Sequence, residues 1–230
     1  MSQAALSPEP LALVVDADTT VSALWLQPPK PRAAYVFAHG AGAGMQHAFM
    51  AALSQALCDR GVATLRYQFP YMERGSKRPD GPALAHATVR AAVAAAHERL
   101  PRVPLFAGGK SFGGRMTSQA QAAAAMPGVR GLVFVGFPLH PAGKPGIERA
   151  AHLSGVSAPM LFLQGTRDEL AELALLQGVV QGLGDVATLH LEDDADHAFH
   201  VRARSGRNDA QVLQSLADAM VAWCSAQAGS

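Results

Sequence analysis

The sequence predicts an α/β domain in which a mostly parallel central sheet carries helices on both faces, as one unit over residues 1–230. Three observations carry that expectation. From residue 33 onward, short apolar runs alternate with longer helical patterns, the rhythm of βαβ units. Runs such as Ala33 to Ala38 and Val129 to Gly136 are apolar at nearly every position, as strands covered on both faces are. A chain of 230 residues with 49% apolar content suits one such domain with a substantial core.

The elements follow in order. Leu11 to Asp16 and Val21 to Leu26 flank Asp18-Thr19-Thr20 and read as an antiparallel pair at one sheet edge. Pro28 to Pro31 is a rigid surface connection. The strand Ala33 to Ala38 ends in the flexible turn His39-Gly40-Ala41-Gly42-Ala43-Gly44. A helix from about Gln46 to Arg60 stops at Gly61, and Val62 to Tyr67 is the next strand. Gln68 to Pro82 is irregular, rich in proline, glycine and charge. A helix over Ala83 to Leu100 comes next, then Pro104 to Gly114, a short buried strand running into a tight glycine turn around Ser111, and a helix to Met126. Beyond Val129 to Gly136, the loop Phe137 to Gly146 leads to a short helix at Ile147 to Leu153. Pro159 to Gln164 is a strand, Glu169 to Gln181 a helix and Val186 to Leu191 the last strand. A loop holding Asp193 to His200 precedes a closing helix over Asn208 to Ala226.

Composition narrows the function. Nineteen basic and eighteen acidic side chains leave a net charge of +1, no electrostatic footprint for nucleic acid or an anionic membrane. Lys77-Arg78 and Arg202, Arg204 and Arg207 read as solvated surface. Cys58 and Cys224 fall inside helices and read as buried free thiols in a reducing compartment. Met1 to Pro8 has no basic leader or apolar segment, and no apolar run approaches the roughly 20 residues that cross a bilayer. A cytoplasmic protein is expected.

The chemistry centres on Gly109-Lys110-Ser111-Phe112-Gly113, which fits the G-x-S-x-G nucleophile-elbow pattern. A serine at the apex of a strand-to-helix turn takes strained backbone angles, and side chains two positions either way would crowd that turn. Gly109-Lys110-Ser111 also mimics the end of a phosphate-binding loop, but that loop needs glycine where Pro104 stands.

A serine hydroxyl needs a base. His190 lies within a strand, and His86 and His97 lie on a helix; His197, in the loop after the last strand, can turn back to the elbow. Asp168 follows the strand Met160 to Gln164 and can orient that imidazole, although an aspartate there also suits a helix N-cap. Asp193, Asp194 and Asp196 are too near His197 in sequence to reach its ring comfortably. The backbone N–H groups of Phe112 and Ala41 are the expected oxyanion donors. No spacing suggests a metal or organic cofactor.

Taken together, Ala38-His39-Gly40-Ala41-Gly42, Gly108 to Arg115, Phe137 to Pro141, Leu163 to Asp168 and Asp196 to His200 resemble the α/β-hydrolases over nearly the whole chain. More narrowly, they are similar to the small group related to dienelactone hydrolases, which includes the α/β-hydrolase-like domain of the KANL/Tex type. The resemblance implies an α/β-hydrolase fold with a Ser111, Asp168 and His197 triad and a supporting turn of His39, Gly40, Gly109 and Gly113. Dienelactone hydrolases proper use cysteine where Ser111 stands, and many relatives have glycine at Asp194.

The expected activity is therefore a serine hydrolase acting on an ester, thioester or lactone of a small substrate. The chain leaves room for no large cap, only Gln68 to Pro82 and Phe137 to Gly146 to line the site. Arg66, Tyr71 and Lys144 on or near those segments read as ordinary surface groups. A second reading, a non-catalytic α/β-hydrolase-like protein-interaction module, comes with the same resemblance, because fold does not fix function.

Overall fold

The computed structural model describes residues 6–229; Met1 to Ala5, part of the expected leaderless N-terminus, lie outside the described residues. Eight strands form one sheet in the order β1-β2-β4-β3-β5-β6-β7-β8. They are Glu9–Val14 (β1), Thr20–Leu26 (β2), Ala33–Ala38 (β3), Val62–Tyr67 (β4), Leu105–Lys110 (β5), Val129–Val135 (β6), Met160–Gly165 (β7) and Ala187–Glu192 (β8). β1 and β2 form the expected antiparallel edge, and β3 to β8 run parallel. The helices are Ala48–Asp59 (α1), Pro70–Glu73 (α2), Pro82–Arg99 (α3), Phe112–Ala123 (α4), Leu173–Leu183 (α5) and Asp209–Ala228 (α6).

The central strands read as continuous apolar runs because each residue faces one of two cores. Tyr35, Phe37, Val133, Val135, Leu161 and Leu163 point to one side, where α1 and α6 cover them with Leu53, Leu57, Leu216 and Met220. Their neighbours Val36, Leu132, Phe134, Met160 and Phe162 point to the other, against Val89 and Val93 of α3, Met116 of α4 and Leu176 of α5. Both cysteines are buried and free.

The connections place the site. From β3 the chain moves through α1 to β4 on one side, then through α3 across to β5 on the other. The order reverses between β3 and β5, so loops leaving their carboxyl ends diverge and open a crevice. The β3 exit carries His39 to Gly44, and the β5 exit carries Ser111.

Two segments depart from expectation. Gln68 to Pro82 is irregular over most of its length, as expected, but it holds one turn of helix, Pro70–Glu73. That turn is pinned to β2 by Glu73, which accepts from the Ser22 N–H at 3.0 Å and the Ser22 hydroxyl at 2.7 Å. The helix expected from Glu169 starts at Leu173, with Glu172 at its N-cap, so Asp168 is not a cap. Asp168 Oδ1 instead accepts from the Leu170 N–H at 2.8 Å, a local bond that competes with helix. The Glu172 N–H goes to His140 Nε2 at 2.9 Å, which delays the first helical turn further.

Candidate active site

The elbow is built by close backbone approach. Ser111 has φ 51° and ψ −117°, a conformation that L-residues rarely hold and that costs on the order of 1–3 kcal/mol. A Cβ on Gly109 would lie 2.6 Å from the Ala38 carbonyl oxygen, and one on Gly113 would lie 2.6 Å from that of His39. Those are backbone atoms of β3 and its exit, so both glycines let β5, α4 and β3 converge. Gly40 approaches the same place, its missing Cβ 3.7 Å from that of Ser111.

His39 fixes this turn from beneath. Fully buried, it donates from Nδ1 to the Gly40 carbonyl at 2.8 Å and accepts the Phe69 N–H on Nε2 at 3.0 Å. Burial pushes its pKa down to about 4, the Gly40 contact opposing, so the ring is a neutral strut. Tyr71, which the sequence suggested as a surface group, is fully buried, and its hydroxyl donates to the Ala41 carbonyl at 3.0 Å. Arg66 is likewise buried, with Nη1 donating to the Met45 carbonyl at 2.8 Å, whereas Lys144 is exposed as expected. The two corrections have separate causes. α2 folds the Tyr71 ring inward against the β3 exit. Arg66 lies within β4, where Leu65 and Tyr67 face the α3 side and Arg66 turns the other way to the Met45 carbonyl ahead of α1. Ala41, in the β3 exit turn, and Phe112, the first residue of α4, border the same hollow as Ser111, and among the described residues neither N–H has a hydrogen-bond acceptor.

The remaining expected side chains converge on Ser111. His197 Nε2 lies 2.9 Å from Ser111 Oγ, and its Nδ1 lies 2.7 Å from Asp168 Oδ2. A carboxylate only accepts, so Nδ1 carries the proton and Nε2 faces the hydroxyl as an acceptor. Asp168 is buried and its carboxylate holds three donors: His197 Nδ1, Gln164 Nε2 and the Leu170 N–H. Gln164 has no freedom to turn, because its Oε1 accepts the Phe137 N–H at 2.9 Å. Of the rivals, Asp194 pairs with Arg202 and Arg167, and Asp196 Oδ1 accepts from the Ala198 and His200 N–H groups. Asp194 has φ 59°, the left-handed conformation that explains why glycine suits this position. Arg202 is thus not simply solvated, nor is Arg207, whose Nη1 lies 2.8 Å from the buried Glu192.

Gln164 and Lys110 are the residues that sequence reasoning quoted but gave no part. Lys110 Nζ donates to the His197 carbonyl and lies 5.9 Å from the Phe49 ring centre and 5.1 Å from that of Phe199. Those two rings stack on each other, 5.8 Å apart. Burial lowers the Lys110 pKa to about 8, with Asp168 and Asp196 pulling the other way. A cation flanked by rings would mark such a residue, but only the fold brings Phe49 and Phe199 together.

Ser111 sits between two hollows. One, of about 370 Å³, is lined by Ala41, Phe49, Met50, Lys110, His197 and Ala198. The other, of about 460 Å³, is lined by Phe112, Arg115, Met116, Pro138 and Arg149 among others. Ala41, Ser111 and Leu170 border both. Among the described residues, no group of three or more His, Cys, Asp or Glu stands where it could hold a metal ion, and no helix is long and apolar enough to cross a membrane.

The fold is shared with solved α/β structures. An α/β serine hydrolase homologue from Coxiella burnetii superposes with TM-score 0.74 at 18% identity, covering 94% of this chain and 98% of that one. Dienelactone hydrolase from Anabaena variabilis gives 0.74 at 18%, covering 96% and 97%. Est1E from Butyrivibrio proteoclasticus, with ferulic acid bound, gives 0.74 at 15%, covering 96% and 100%. Residues 31–225 match the family described as "Alpha/beta hydrolase domain". With its elbow, eight-stranded sheet and absence of an added cap over the described residues, the chain belongs to the α/β hydrolase family.

Proposed function

We propose that the protein is a serine hydrolase that cleaves a carboxylic ester, thioester or lactone of a small substrate through Ser111, His197 and Asp168. One observation carries this: the unbroken hydrogen-bonded line from Ser111 Oγ through His197 to Asp168, opening onto a cleft. A hydroxyl with no base is a weak nucleophile, and the 2.9 Å contact supplies one.

In this reading Ser111 Oγ attacks the carbonyl carbon while its proton passes to His197 Nε2. The carbonyl π electrons move onto oxygen, which takes hydrogen bonds from the Ala41 and Phe112 N–H groups. Asp168 stabilises the imidazolium without taking its proton. Collapse breaks the bond to the leaving group, which takes the proton from Nε2 and departs. Water then attacks the acyl-enzyme, giving its proton to the same nitrogen, and collapse returns a proton to Ser111 Oγ and releases the acid.

Hollows of about 370 and 460 Å³ suit a small substrate. Similar structures described as a dienelactone hydrolase and as a protein holding ferulic acid support the same size range. The test is hydrolysis of p-nitrophenyl butyrate by the wild type with Ser111→Ala beside it. Turnover abolished in the variant supports the reading, and equal rates in both proteins refute it.

A further inference from the structure

The hollow on the α4 side of Ser111 holds two arginines that no acidic group among the described residues neutralises. Arg115 stands one turn along α4 from Ser111, and Arg149 comes from the 3-10 turn Glu148–Gly155. Among the described residues neither makes an ion pair, and the buried Arg115 Nε has no hydrogen-bond partner. The one carboxylate lining the hollow, Asp80, is already occupied: it accepts from the Tyr71 N–H at 2.7 Å and pairs with Arg74 at 2.6 Å.

The surroundings feel that uncompensated charge. His152, 2.7 Å from the Ser118 hydroxyl, has its pKa pushed down to about 4 by burial and then by Arg115 and His86. Two guanidinium groups, partly desolvated and facing one space, lower their energy when an anion enters. Apart from Gln119, the hollow's other walls, among them Phe112, Met116, Pro138 and Leu170, are apolar and suit a short carbon chain.

The opposite hollow has a different character. Phe49, Met50 and Ala198 line it together with His47 and His197, and its cation, Lys110, is already committed to the His197 carbonyl. The leaving group must take its proton from His197 Nε2, so it belongs on that side, which leaves the arginine side for the acyl chain.

Resting on the hydrolase reading above, we infer that the acyl part of the substrate ends in a carboxylate, bound by Arg115 and Arg149, while the alcohol or thiol part is apolar. One helical turn between Ser111 and Arg115, about 5.4 Å, plus the reach of an arginine, sets an acyl chain of about four to six carbons.

Matched p-nitrophenyl esters test this: the half-ester of adipate against hexanoate, which differs only in ending in methyl. The wild type should prefer adipate about tenfold or more in kcat/KM, the worth of a charge-assisted contact. Arg149→Gln, on a surface turn, should cut that preference about tenfold, mainly through KM, and Arg115→Lys should reduce it because ammonium cannot reproduce the guanidinium fork. Hexanoyl 4-hydroxybenzoate, with its carboxylate on the leaving group, should show no such advantage over phenyl hexanoate.

Equal turnover of adipate and hexanoate esters, a preference untouched by Arg149→Gln, or an advantage for the leaving-group carboxylate would each overturn the inference. Failure of the hydrolase reading is seen separately, as turnover no faster than Ser111→Ala for every ester. In that case calorimetry of adipate with Ser111→Ala decides: binding lost on adding Arg149→Gln keeps the anion site, and no binding removes it.

Discussion

Replacing Asp168 by asparagine exchanges one carboxylate oxygen for an NH₂ group at a point where three hydrogen-bond donors meet. Oδ2 accepts from His197 Nδ1 at 2.7 Å and from Gln164 Nε2, while Oδ1 accepts from the Leu170 N–H at 2.8 Å. An amide has one accepting oxygen, and its NH₂ only donates. If the oxygen keeps His197 and Gln164, the NH₂ faces the Leu170 N–H; if it keeps Leu170, the NH₂ faces two donors. Gln164 cannot flip to help, because its own oxygen is committed to the Phe137 N–H.

One buried donor is therefore orphaned, at a cost of about 1–3 kcal/mol of stability. The second arrangement also favours the tautomer with its proton on Nε2, facing Ser111, where it cannot accept. Loss of the correct tautomer lowers kcat by about 10⁴ in the well-studied serine protease triad, and the same order is expected here. Steady-state hydrolysis of p-nitrophenyl butyrate gives the rate, and thermal melting monitors the fold. A folded Asp168→Asn protein retaining more than a tenth of wild-type kcat would refute this account of the base.

Further expectations rest on the same geometry. Ser111→Gly relieves the φ 51° strain and should raise the melting temperature by a few degrees, whereas Ser111→Ala keeps the strain and should not; differential scanning calorimetry compares them. Lys110→Met frees the His197 carbonyl and should lower kcat about tenfold with less effect on KM. Because the Lys110 pKa is lowered to about 8, the wild type should lose activity above that pH, and a pH profile of Lys110→Met should lack that decline. His39 titrates at about 4 when folded and near 6.5 when unfolded, so the unfolded chain binds more protons between those values. Stability should fall as pH drops from 6.5 to 4, by on the order of 3 kcal/mol from this group, and denaturant titrations across that window should show it.

How much of this was legible in the sequence depended on the range of the forces involved. The elbow announced itself because its constraint is local: strain at Ser111 and crowding at Gly109 and Gly113 leave glycines at fixed spacing. The strands announced themselves because burial on two faces writes continuous apolar runs. His197 and Asp168 were found by place, each in a loop leaving a strand's carboxyl end. The late start of α5 was not legible, because it depends on His140 reaching Glu172 and on Asp168 being drawn into the site. Gln164 looked like one more strand residue, and its value comes from Phe137 arriving at its oxygen. Tyr71 sat in a polar, proline-rich neighbourhood that reads as surface until α2 folds it inward, and Arg66 read as surface because its acceptor, the Met45 carbonyl, is distant in sequence. The pairing of Arg115 with Arg149 joins an α4 residue to a distant turn, and no local pattern records it.

The most direct test of an activated serine is labelling of the purified protein with a fluorophosphonate probe, with mass mapping of the adduct. The expected result is one adduct, on Ser111, absent from Ser111→Ala and formed far more slowly in His197→Ala. A folded wild type that takes no label, or takes it on another residue, would contradict the triad and favour the protein-interaction reading of this fold.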